Sequence, residues 1–83
     1  AAEEEFFAYA YPNPFNNGFN LEILSPSNED VQLNIYDLAG RKVESYSNIS
    51  EKDVFGEKLG FGIYFAEILQ GQQVQMLRIV KAE

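Results

Sequence analysis

The chain has no cysteine, no histidine and no tryptophan, only three prolines, one methionine and six basic side chains against thirteen acidic ones. Without cysteine there is no disulfide and no thiolate metal site to support a small fold. Without histidine or cysteine the common nucleophile–base pairs and the imidazole or thiolate metal sites are excluded as well. The net charge of −7 weighs against a phosphate-backbone partner or an anionic membrane surface, since both are recognised through basic patches. The longest apolar run, Phe6 to Tyr11, falls far short of the roughly 18–20 residues that span a bilayer. Neither a nucleic acid nor membrane insertion is expected, and no cofactor is implied.

Eighty-three residues suffice for one small domain. Its core must come largely from the seven Phe and five Tyr. Residues 1–8 read as an acidic linker or tail and 9–83 as the folded domain, with order beginning near Phe6. The opening Ala1-Ala2-Glu3-Glu4-Glu5 reads as an internal piece of a longer polypeptide.

Along the chain, short alternating segments are separated by turn residues. An aromatic strand at Phe6–Tyr11 is stopped by Pro12 and Pro14, and Asn16-Asn17-Gly18 is expected to reverse the chain through positive φ. Phe19, Leu21 and Ile23 alternate with polar neighbours, as do Val31, Leu33 and Ile35, which is the two-residue period of a strand. Asp37-Leu38-Ala39-Gly40 reads as a tight turn, with Gly40 at positive φ and Asp37 bonding the turn backbone. Residues 47–58 are irregular, with Val54 and Phe55 expected to plug into the core. Gly60 and Gly62 suit a bulge or a close approach before a two-sided apolar strand at Ile63–Leu69, and Gly71 marks the last turn before Val74–Lys81. In that last segment Gln75, Leu77 and Ile79 share one face while Val74, Met76, Arg78 and Val80 share the other. The pattern predicts an all-β, immunoglobulin-like antiparallel sandwich of about seven strands; closure into a small barrel is not decided by periodicity.

The carboxylates, among them Glu22, Glu29, Asp30, Asp37, Glu57 and Glu67, fall at turns or on polar strand phases, and none has calcium-loop spacing. They read as solvated surface, so no catalytic or metal-binding residue is expected. Gly60-Phe61-Gly62 is too short for a phosphate loop, and Asn48-Ile49-Ser50 is a chance-level glycosylation tripeptide in a loop. Tyr11, Tyr46 and Phe61 are the rings that would serve an accessory carbohydrate-binding module, the alternative reading. A small acid–base enzyme ranks third.

Four patches in order carry a resemblance: Pro12-Asn13-Pro14 within Tyr11–Phe15, Tyr36-Asp37-Leu38-Ala39-Gly40-Arg41-Lys42-Val43, Gly62-Ile63-Tyr64, and Arg78-Ile79-Val80-Lys81. Over nearly the whole chain the sequence resembles the C-terminal sorting domains of the type IX (Por) secretion system of Bacteroidetes. Arg78 stands where that family commonly has Lys, and Ala82-Glu83 extend past its usual basic ending. The resemblance implies a non-enzymatic sandwich carried behind an N-terminal cargo domain. It also implies export through periplasm and outer membrane to the cell surface or medium, with the translocon and a sortase-like peptidase as partners. Partner recognition is expected at Gly62, Tyr64, Arg78, Ile79, Val80 and Lys81, and a turn or structural role at Pro12, Asn13, Pro14, Asp37 and Gly40.

Overall fold

In the computed structural model, residues 6–82 are described. The acidic stretch 1–5 and the terminal Glu83 lie outside them. Six strands follow in order: β1 (Phe7–Tyr11), β2 (Asn20–Leu24), β3 (Gln32–Tyr36), β4 (Lys42–Tyr46), β5 (Gly62–Gln70) and β6 (Gln73–Lys81). β1 and β2 form one antiparallel pair, and the other four form a sheet in the order β4-β3-β5-β6, also antiparallel throughout. Two open sheets, rather than a closed barrel, are the result. Phe7 and Ala8 belong to β1, so the folded part begins ahead of the boundary at residue 9 expected from the sequence.

The expected seventh strand is absent from the described residues. Phe55 makes a single bridge to Phe19, with backbone bonds of 2.8 and 2.9 Å, beside β2. Gly56 follows at φ 80 and turns the chain away, so pairing stops after that one bridge. Of the two residues expected to fill the core there, only Phe55 does, while Val54 is 48% exposed.

Alternation places one side of each strand inside. Leu21, Leu33, Ile35, Ile68 and Ile79 are fully buried, joined by Phe15 and Phe19. Phe15, Phe19, Phe55 and Tyr46 form a connected string of rings with centroid separations of 5.0, 5.8 and 4.9 Å, an arrangement that adds edge-to-face contact to area burial. This string crosses the core from the N-terminal segment to the edge strand β4.

The β3–β4 turn forms as its residues dictate. Gly40 has φ 86, and its N–H donates to Asp37 O at 2.9 Å. The Asp37 Oδ1 accepts from the N–H groups of Ala39 and Arg41, each at 2.9 Å. The reversal after β1 works differently from expectation. Neither Asn16, Asn17 nor Gly18 has positive φ. Gly18 is required for a close approach instead, since a Cβ there would sit 2.6 Å from Val54 Cγ1 and 3.0 Å from Phe55 O.

Candidate recognition surface

β5 and β6 are a long hairpin that pairs Gly62 with Lys81 and Tyr64 with Ile79. Their far end, where the terminal motif lies, is bound from outside by the segment after β1. Asn13 Nδ2 donates to Arg78 O at 2.8 Å and its Oδ1 accepts from Val80 N at 3.1 Å, so one side-chain amide imitates a neighbouring strand. Phe15 continues the pairing in parallel: its N–H donates to Val80 O, and Ala82 N–H donates to Phe15 O, both at 2.8 Å. The exposed backbone of a last strand is thereby covered, which is how sheets avoid unwanted edge pairing. Pro12 and Pro14 flank this contact and are exposed.

Lys81 does not face solvent. It is 6% exposed, and its Nζ donates to Asn17 O at 3.0 Å, Gly56 O at 3.2 Å and Glu57 O at 3.3 Å. The same nitrogen stands 5.2 Å from the centroid of the Phe15 ring, within range of cation–π attraction. Three backbone carbonyls and a ring account for all of its bonding capacity. Lys81 therefore ties β6 to the residue 15–18 segment and to the loop after Phe55.

The other sequence-predicted residues divide by strand parity. Ile79 is fully buried, Val80 and Gly62 are half-buried, and Arg78 is exposed on the outer face, opposite Phe65 across the sheet. Gly62 has φ 141 at the start of β5. The Tyr64 ring is half-buried against the core, and its hydroxyl donates to Gly60 O at 3.0 Å. Asp37 and Gly40 build the turn, where Arg41 pairs with Asp37 at 2.9 Å. Those bonds, led by the one from the Arg41 backbone, hold the Asp37 carboxyl below its ordinary value. The predicted set thus splits into core, clamp and surface rather than forming one patch.

Two glutamines missed in the sequence reading close the sandwich. Gln75 donates to Ala8 O and accepts from Ala8 N, both at 2.8 Å, joining β6 to β1 across the two sheets. Gln70 is buried, donates to Glu29 O at 2.8 Å and accepts from the Ser25 hydroxyl. Each stands on the inward phase of its strand, where a polar side chain must find a partner.

The outer face of the four-stranded sheet bears a polar line on an apolar ground. Ser45 donates to Asn34 Oδ1 at 2.8 Å, and Asn34 Nδ2 and Tyr36 OH donate to Glu67 Oε1 at 3.1 and 2.9 Å. The bond to Glu67 raises the Tyr36 hydroxyl above its ordinary value. Around this line Ile63, Val74 and Met76 are exposed, and Phe61 at 74% is the most exposed large apolar side chain. The rings suggested for sugar stacking do not meet: Tyr46 packs edge-on against Phe55, while Tyr11 stands in a ladder with Tyr9 and Phe7 whose planes are tilted by 50° and 51°.

Among the described residues no group of three or more Asp or Glu side chains is placed to hold a metal ion. The fold is a small all-β domain built from two antiparallel sheets. The secretion system C-terminal sorting domain family matches residues 9–82, so the chain belongs to that family, the C-terminal sorting signals of type IX secretion. No curated protein matches the chain.

Proposed function

We propose that the domain directs an N-terminally attached cargo through the periplasm and across the outer membrane by the type IX translocon. A sortase-like peptidase then removes it at the cell surface by cutting ahead of β1, N-terminal to Phe7. The family match over residues 9–82 is the observation that carries this reading. Within the terminal motif Arg78–Lys81, the groups on the outer face for a translocon to meet are Arg78 and part of Val80, while Ile79 and Lys81 hold the strand in place.

Fusion of the chain to a periplasmic reporter tests this in a type IX-competent host and in a translocon-deficient strain. The reporter is expected at the surface or in the medium only in the competent host. Removal of residues 76–83 is expected to retain it in the periplasm, and surface display of that truncated fusion sinks the proposal. Arg78→Ala separates presentation from folding, because it is expected to lower export while leaving the unfolding midpoint unchanged.

A further inference from the structure

A cleft of about 420 Å³ opens on the outer sheet face between the β3–β4 turn and β5–β6, lined by Tyr36, Asp37, Leu38, Phe65, Glu67 and Met76. Its walls are apolar and accessible, Leu38 being 66% and Met76 53% exposed. Two carboxylates border it, and they differ. Asp37 is engaged by Arg41, with its Oδ2 2.9 Å from both Nε and a terminal nitrogen of the guanidinium. Glu67 accepts both of its hydrogen bonds, from Asn34 and Tyr36, on Oε1. Its Oε2 accepts no hydrogen bond from the described residues, and no buried side-chain oxygen is left without a partner, so Oε2 is not sealed from solvent.

We infer that this cleft binds a lysine or arginine side chain presented on an apolar surface of a partner protein. The carbon stem of such a residue lies along Leu38, Phe65 and Met76 while its charged head donates to Glu67, the geometry in which long basic side chains bury their stems. A neutral or acidic side chain there would strip water from the Glu67 carboxylate and return no charged donor. At long range the net charge of −7 favours approach of a basic partner and opposes a second copy of the chain, and Arg78, opposite Phe65 on the same face, makes no ion pair with Glu67 among the described residues. Ile63 and Val74, exposed on the same face, extend the apolar contact beyond one side chain and point to a protein rather than a free amine.

The probe is N-acetyl-leucyl-arginine amide, titrated into the isotope-labelled chain and followed by amide chemical shifts. The control is the citrulline analogue, neutral and of the same shape. Saturable shifts are expected at Leu38, Phe65, Glu67 and Met76, with affinity about tenfold lower for citrulline and about tenfold lower in Glu67→Gln, the size of one charge-assisted bond. Leu38→Ala, an exposed change that leaves the core untouched, is expected to weaken binding about threefold through lost apolar contact. Equal binding of arginine and citrulline overturns the inference, as do shifts spread evenly over the acidic surface. Undiminished binding in a folded Glu67→Gln overturns it too, and concentration-dependent shifts of the same amides without peptide would assign the cleft to a second copy instead.

Discussion

The two halves of β6 are held in different ways. From Gln73 to Leu77 the strand is tied to the opposing sheet by the side chain of Gln75, and Val74 and Met76 stand exposed on its outer side. From Arg78 to Lys81 it is bound along its outer edge by Asn13 and Phe15, and its last side chain is enclosed by three carbonyls. Both halves join segments more than sixty residues apart in the chain, and the second also reaches the loop at Gly56 and Glu57 through Lys81. The comparison teaches that a terminal basic motif can be chiefly an internal fastening, with only its outward-facing members left for a partner.

The largest effect should come from loosening the fastened half. Phe15→Ala removes a fully buried ring that touches Phe19 and underlies Lys81, and is expected to cost about 3–5 kcal/mol in urea unfolding. A loss below about 1 kcal/mol would show that the segment after β1 only lies on the fold. Next in size, Lys81→Met keeps the stem but takes the ammonium donor from the carbonyls of Asn17 and Glu57, and from Gly56 O, which keeps the Leu59 N–H, and about 2–3 kcal/mol should be lost. If Lys81→Met unfolds at the same urea concentration as the parent, the fastening is elsewhere.

Much of this was legible in the residues. The alternation of Leu33 and Ile35 with polar neighbours placed β3, and Asp37 and Gly40 specified their turn, because each local preference agreed with the final structure. The family reading came from motifs whose order and spacing cover the whole sandwich. The position of Lys81 was legible in principle: it has the same parity as Leu77 and Ile79, so the two-residue period puts it on the core face. Charge argued the other way, and only the carbonyls of Asn17, Gly56 and Glu57, remote in sequence, reconcile a lysine with that face. Gln75 and Gln70 were hidden for the same reason, since their partners lie in other segments. The count of about seven exceeded the six strands found, and the stretch 47–58, read as irregular, contributes only the single Phe19–Phe55 bridge.

The other half of β6 should yield less. Gln75→Ala removes two hydrogen bonds to the Ala8 backbone and is expected to cost about 1–2 kcal/mol. Amide exchange should accelerate in β1 around Ala8 and stay slow at Val80 and Ala82, whose partners are Asn13 and Phe15. Equal acceleration at both ends would mean that β6 opens as one unit and that its halves are not separately held.

The smallest effect is silent at neutral pH and probes the fastened end from its far side. Tyr46 packs on Phe55, next to the Gly56 and Glu57 carbonyls that hold Lys81. Burial first, and then the hydrogen bond to Glu44, push its hydroxyl from 10.0 up to about 12. Between those values the unfolded chain has lost the phenolic proton while the folded chain keeps it, so the folded state binds more protons. Stability is therefore full below pH 10 and falls as pH rises towards about 12, with the loss reduced by the ring's partial exposure. Urea midpoints measured across that window should fall with pH in the parent and fall less in Tyr46→Phe, which keeps the ring contact and removes the ionisation. Tyr36, raised through Glu67, leaves a residual slope of the same sign in that variant. If Tyr46→Phe follows the parent curve, the alkaline loss does not arise from the Tyr46 hydroxyl.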